Sequence, residues 1–392
     1  MRGRLTRERL KNRISRELVS RLGISPARCH YRFLQSRLPE EFEHRIIDAP
    51  EVRCARLPRN VDSRGELSRD AHIAGFSFHD VPCRRVAPTF VATVPDCRIL
   101  IETDQGGDRH YAIVTRDVRV LRLRGTAFQH PLHAPLMAAP AVHVRQATWI
   151  LEAWDRNYAH WLQWHLTKIV LLQRLRIAQN ILLPSGRDIG GVVGASVEML
   201  GTPAPMEITV KAMQVDELTV VGMDSYRRSL LLGLRERLAP AGRTTVAPRR
   251  RLFISRRAAT RRRLQNEQGF WHLLASRGYE RVVMEEYAFR EQIALMGEAA
   301  AVVALHGAGL ANILWAPEGL QVVEIADVTF ANPQYYALAE ALGHDYWVLR
   351  GQPVGSLRPG YHDLSVDLSE VDRVLVGVEA ALAARGRGRS PE

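Results

Sequence analysis

Lysine is nearly absent: it occurs only at Lys11, Lys168 and Lys211, although Lys and Arg together number 54. The basic character is therefore arginine, whose planar fork of donors matches phosphate and carboxylate groups. Cysteine is scarce too. Cys29, Cys54, Cys83 and Cys97 lie far apart in the first quarter of the chain, with no C-x-x-C pair. That spacing argues against a cysteine zinc site or a dense disulfide framework, and it predicts free thiols in a reducing compartment. No apolar run approaches the roughly 20 residues that span a bilayer. The N-terminus has no apolar signal-peptide core, so a cytoplasmic chain is expected. Three nucleotide signatures are missing as well. There is no G-x-x-x-x-G-K-[ST], so no P-loop, and no G-x-G-x-x-G opening a helix, which argues against a dinucleotide dehydrogenase. No D-x-D stands at a strand end, so no catalytic metal and no other cofactor is expected.

What is present is enough chain for two domains: 392 residues with a hydrophobic fraction of 46%. The net charge of +12 favours an anionic partner, whether nucleotide phosphates, a lipid surface or nucleic acid. Residues 1–22 carry arginines around an apolar stripe of Leu10, Ile14, Leu18 and Leu22. A basic amphipathic helix of this kind can lie on an anionic membrane, which would make the chain peripheral at the inner membrane. The other reading is a solvated face whose stripe docks on the body of the protein.

Residues 1–85 read as a basic helical or irregular region. Over 86–240 the pattern is β-rich and then α/β. Short runs such as Phe90–Val94, Arg98–Ile101, Tyr111–Val114 and Val118–Leu121 read as strands. Ile181–Leu183, Gly191–Val193, Ile208–Val210 and Leu218–Val221 follow as strands between helices. Trp154-Asp155-Arg156-Asn157-Tyr158-Ala159-His160-Trp161 opens a helix that Asp155 or Asn157 caps. Its aromatic and titratable groups suit a site that stacks a sugar ring and moves a proton, or else an aromatic helix face packed in the core. Residues 249–350 repeat a βαβ rhythm, and 351–392 form a last helix with a basic tail.

The second α/β segment is organised around Ala301–Asn312. Ala301–Leu305 is a short apolar run of small and β-branched residues, as in a buried parallel strand. His306-Gly307-Ala308-Gly309 is a glycine turn, and Leu310–Trp315 resumes as a helix. A helix start after such a turn presents unpaired N–H groups to an anion. Ligands in open α/β sheets bind beyond the carboxyl ends of the strands. Ser255-Arg256-Arg257, His306–Gly309 and Glu324 all fall at such ends. They read together as a nucleoside diphosphate site, with Glu324 or Glu267 on the ribose or base.

Phe253-Ile254-Ser255-Arg256-Arg257, Arg261-Arg262-Arg263-Leu264-Gln265-Asn266-Glu267, Glu291-Gln292, His306-Gly307-Ala308-Gly309-Leu310-Ala311-Asn312 and Val322-Val323-Glu324 follow one another over about 70 residues. In order and spacing they resemble glycosyltransferase family 61, and Asn157–Trp161 resembles that family's upstream aromatic-histidine segment, although Ala159 stands where an aromatic residue is common. The resemblance implies an α/β fold of GT-B type, with two Rossmann-like domains facing a cleft after a β-rich N-terminal module. Residues 86–240 would be the acceptor side and 249–350 the donor side. It implies an inverting, metal-independent transfer from a nucleotide-sugar donor to a glycan or lipid-linked acceptor, in surface or capsular polysaccharide synthesis. Arg256, Arg257, Arg262, Asn266, Glu267, His306, Gly307, Ala308, Gly309, Leu310, Asn312 and Glu324 would bind the donor. His160 is the expected base, with Asp155 second. Two other readings stand beside this one: a nucleic-acid-binding protein using the Arg249–Arg263 cluster, and an inactive family member acting as an assembly partner. No nucleic-acid-binding motif supports the first.

Overall fold

In the computed structural model, Ala299–Leu305 is a strand buried at every position but Ala300. It runs parallel to Arg250–Ile254 on one side and to Gln321–Asp327 on the other. The structure describes residues 31–33, 42–69, 77–103, 109–117, 119–123, 136–152, 154–185, 191–203, 205–239, 248–357 and 359–387. Its chain divides into two units. One comprises Met1–Glu51, Val86–Ile189 and Gly201–Ser225; the other comprises Val52–Arg85, Gly190–Leu200 and Tyr226–Glu392. This division differs from the sequence segments, because Val52–Arg85 and the end of the chain group with the second sheet.

In the second unit six strands lie side by side. Tyr279–Val282 is at one edge, followed by Arg250–Ile254, Ala299–Leu305, Gln321–Asp327, Asp345–Val354 and Asp363–Ser365. All pair in parallel except the last, which is antiparallel. Helices Glu267–Ser276, Phe289–Gly297 and Gln334–Leu342 make the crossovers, and Leu368–Arg387 follows the sheet. Parallel strands covered on both faces need continuous apolar runs, which is why Ala301–Leu305 and Val322–Val323 lack polar alternation. Phe253, Phe270, Leu274, Val303, Val323, Ile325, Trp347, Val371 and Leu375 form one buried core. Each large side chain there contributes roughly 1.5–3 kcal/mol by leaving water.

Counted along the chain, these strands lie in the order 2-1-3-4-5-6. Strands 1 and 3 are neighbours whose connections leave in opposite directions. The carboxyl ends of Arg250–Ile254 and Ala299–Leu305 therefore flank the crevice where open α/β sheets take ligands.

The first unit is mixed. Its larger sheet runs Tyr31–Phe33, Val120–Arg122, Arg109–Thr115, Thr89–Thr103, Ala212–Gly222 and Val142–Trp149, with His44–Asp48 paired to Thr89–Thr103. Beside it, Leu182–Pro184 pairs in parallel with Met206–Ile208, and Ile181 bridges in parallel to Thr148. Thr89–Thr103 is antiparallel to all three of its partners, while Ala212–Gly222 is parallel to Val142–Trp149. Alternating short runs joined by turns build hairpins, and the two runs expected at 90–94 and 98–101 are one strand, bent at Asp96 with φ of 44°. Gly191-Val192-Val193 is another correction: Gly191, at φ of 80°, opens the helix Val192–Met199 instead of a strand. Three apolar residues are too few to distinguish the two periods. The basic stripe of residues 1–22 lies outside the described residues.

Candidate functional site

Arg250–Ile254 ends at Ser255, and the chain turns at once into Arg256. On the neighbouring strand, Leu305 is followed by His306 and Gly307, and Ala308–Trp315 forms a 3-10 helix where an ordinary helix start was expected. The tighter winding follows from the small residues of the turn and the fully buried Leu310–Trp315 run behind it. Gly307 is extended, so its backbone would suit any residue; what requires glycine is space. A Cβ there would stand 2.1 Å from Nη1 of Arg256 and 3.0 Å from its Cζ. The Arg256 guanidinium thus lies flat on the glycine turn.

Arg256 is held by backbone oxygens. Its Nε donates to the carbonyl of Arg262 at 3.1 Å and its Nη2 to that of Arg261 at 3.4 Å. Arg262 adopts φ of 57° and donates from Nη1 to the carbonyl of His306 at 3.5 Å, while its buried Nε has no hydrogen-bond partner among the described residues. Neither guanidinium has a carboxylate within ion-pair distance among the described residues. Burial, and then the neighbouring charge of Arg262, push the pKa of Arg256 down to about 10. Arg262 is lowered as well, chiefly by burial. Both stay protonated at neutral pH. Glu285 acts on Arg256 only from beyond ion-pair distance, so two adjacent, half-buried cations are left to attract an anion.

His306 is fixed from both ring nitrogens. Nδ1 lies 2.5 Å from Oε1 of Glu324, and Asn332 Nδ2 lies 3.1 Å from Nε2. A carboxylate only accepts, so Nδ1 carries the proton and Nε2 accepts from the amide. Glu324 is fully buried, and its second oxygen accepts from the Tyr346 hydroxyl at 2.8 Å. Both oxygens of Glu324, expected on a ribose or base, are engaged within the protein, and the carboxylate is placed to hold the His306 ring. Tyr335 packs against the His306 ring at 5.0 Å, and burial, then Glu324, raise its hydroxyl pKa.

The other expected donor residues divide into near and far. Ala308 and Gly309 continue the turn; Gly309 packs closely on Ile254 and Met284. Leu310 is buried core, and Asn312, wholly buried, donates to Gln292 Oε1 at 3.2 Å and to the Gly309 carbonyl at 3.0 Å. Asn312 therefore braces the turn from behind. Glu267 accepts from Ser255 Oγ at 2.7 Å, and Asn266 exchanges hydrogen bonds with the backbone of Val366. Both anchor loops. Arg257 is exposed and ion-paired with Glu286 at 3.3 Å. Tyr346, Tyr335 and Asn332 were missed by sequence reasoning, and only the Asn332-Pro333 turn dipeptide left a signal.

In the first unit, Asn157 caps the turn Tyr158–His160, its Oδ1 accepting from the N–H groups of Ala159 and His160 at 2.9 and 3.3 Å. The turn widens into a buried π-helical turn over Trp161–His165, a feature common at functional sites. His160 sits between Trp154 at 5.1 Å and Trp164 at 4.1 Å. Trp154 is 56% exposed. Asp155 is 2% exposed and accepts from the Tyr111 hydroxyl at 2.5 Å and from Arg109 at 3.5 Å. Burial raises its pKa, with the Tyr111 hydrogen bond opposing. It is a buried anchor, with no face open to an acceptor hydroxyl.

The model of the family Glycosyltransferase 61 matches residues 158–323. Over this segment the chain is similar to that family. That segment starts at the His160 turn and ends one residue before Glu324, so it includes both Arg256 and the His306 glycine turn. A comparison with curated proteins gave no match. Among the described residues, no helix is long and apolar enough to cross a membrane.

Proposed function

We propose that this chain transfers a sugar from a nucleotide-sugar donor to a glycan or lipid-linked hydroxyl acceptor, with inversion and without a metal. The observation that carries the reading is the pair Arg256 and Arg262, two guanidiniums with no carboxylate at ion-pair distance among the described residues, at the switch point of a parallel sheet. In the transfer, a base takes the acceptor proton and the acceptor oxygen attacks the anomeric carbon. The bond to the diphosphate then breaks, and its electron pair stays on the departing phosphate oxygen. Arg256, Arg262 and the N–H groups of the Gly307 turn supply the positive charge that this oxygen needs. The parallel sheet of the second unit supports its assignment as the donor half of a GT-B enzyme. His160 is the base in this reading, and the exposed Trp154 beside it suits an acceptor sugar. Surface or capsular polysaccharide is the proposed product class, made on the cytoplasmic side of the membrane.

The nucleic-acid alternative loses its main support at the arginine cluster. Arg250 pairs with Glu280 and Glu298, Arg251 with Glu379, Arg257 with Glu286, and Arg263 with Asp363. Four of the eight arginines from Arg249 to Arg263 are thus paired in place, which interrupts any continuous stripe for a phosphate backbone.

The test is thermal unfolding with a panel of nucleoside diphosphates and their sugars, in chelator and then in magnesium. A rise with one nucleotide in chelator, lost in Arg256→Ala, is expected. His160→Ala is expected to keep that rise and lose turnover. No rise with any nucleotide, beside salt-sensitive retention on duplex DNA, would overturn the proposal.

A further inference from the structure

Two of the three described cysteines stand together in the second unit. Glu51–Cys54 and Cys83–Val86 form a two-stranded sheet. The Ala55 N–H donates to the Pro82 carbonyl at 2.8 Å, tying together the positions just beyond the two cysteines. Their Sγ atoms lie 3.9 Å apart, and both residues are exposed. Cys97 differs: it is buried, and burial pushes its thiol up to about 12. Paired strands are about 4.8 Å apart. That separation falls within the Cα range a disulfide bridges, so side-chain rotation alone would bring the sulfurs to bonding distance.

We propose that Cys54 and Cys83 form a thiol–disulfide modification site, closed by a small anionic disulfide such as glutathione disulfide. One cysteine thiolate attacks the small disulfide and releases one thiol, leaving a mixed disulfide on the protein. The second thiolate attacks the protein sulfur of that mixed disulfide, forming the Cys54–Cys83 bond and releasing the second small thiol. The two cysteines lose two electrons and two protons, and the small disulfide gains them. Cys54 borders an open pocket of about 130 Å³ that gives a small disulfide access to it; on its wall Arg56 and Arg59 both pair with Asp345, at 3.2 and 3.8 Å.

The bond would close a loop within the second unit, and this loop is already sewn to the sheet. The Arg59 N–H donates to the Tyr346 carbonyl at 2.7 Å, and Asn60 bonds both the N–H and the carbonyl of Val348. Tyr336 donates to the Arg56 carbonyl at 2.7 Å and stacks on Tyr346 at 4.9 Å. Oxidation therefore staples the strap that lies on the strand supporting Glu324.

The test incubates the reduced full-length protein with glutathione disulfide and maps its peptides without reduction. A Cys54–Cys83 cross-link, the loss of two hydrogen masses, and an unfolding temperature raised by several degrees are expected. Dithiothreitol should reverse all three. Cys54→Ser and Cys83→Ser should each abolish the cross-link and the shift. A stable glutathione adduct on either cysteine, a link from either one to Cys29, or unchanged thiols would overturn the proposal. None of these readings involves sugar transfer, so this test and that of the transferase stand apart.

Discussion

Replacing Gly307 with alanine separates binding from folding more cleanly than removing an arginine does. The new Cβ would lie 2.1 Å from Nη1 of Arg256, where an ordinary contact needs 3.4 Å, so the guanidinium must move by about 1.3 Å. Backbone strain is not involved, since φ at Gly307 is 177°. The Arg256 tip gives way, together with its two bonds to the Arg261 and Arg262 carbonyls. Two such bonds are worth about 1 kcal/mol each, so stability falls by at most ~2 kcal/mol. A displaced guanidinium also loses its charge-assisted bond to a bound diphosphate, worth about 1.5–3 kcal/mol, which weakens binding roughly 10- to 150-fold. Calorimetric titration with the nucleoside diphosphate, beside a thermal melt, reads both quantities. Because the alanine acts through Arg256, it should add almost nothing in an Arg256→Ala background. Equal weakening in both backgrounds, or unchanged affinity in the single variant, would refute the placement of Arg256 on the anion.

Tyr346→Phe removes a donor from the fully buried Glu324 while keeping the ring stacked on Tyr336. A chemical-denaturation melt should show a loss of about 1–3 kcal/mol, the cost of a buried acceptor left unpaired. His344 gives a pH dependence. Burial, then Arg235, hold its pKa at about 3 against an ordinary 6.5. As pH falls from 6.5 towards 3, the unfolded chain takes a proton at this position and the folded chain does not. Stability should therefore fall across that window, by up to ~1.4 kcal/mol per pH unit from this one group. His344→Asn should flatten that part of the stability profile in melts at graded pH; an identical slope in both proteins would contradict it. His165, also buried and lowered, contributes in the same direction.

The sequence made the second unit legible because parallel α/β units write themselves locally. Apolar runs such as Ala301–Leu305 and Val322–Val323, turns at glycine, and helices between them are all short-range signals. The Gly307 turn and Arg256 were legible for the same reason. Glu324 was expected at a strand end, but Gln321–Asp327 runs three residues past it, and its partner Tyr346 comes from the neighbouring strand. Only pairing reveals that the carboxylate is enclosed. The enclosure of Asp155 was hidden in the same way, since Tyr111 and Arg109 come to it from a strand far back in the chain. The first sheet was harder still. Thr89–Thr103 pairs with Ala212–Gly222 across more than a hundred intervening residues, and no local period records such a partner.

That pairing also bears on how the protein can be made. The chain passes between its two units five times, at 51/52, 85/86, 189/190, 200/201 and 225/226. During synthesis, Thr89–Thr103 leaves the ribosome long before Ala212–Gly222 exists to cover it. An apolar strand edge is then exposed over the translation of residues 104–211, a window in which chaperones or neighbouring nascent chains can reach it. A cut after Ser225 keeps the second sheet whole but parts Val52–Arg85 and Gly190–Leu200 from it. The rate of elongation through residues 104–211 should therefore govern the soluble yield.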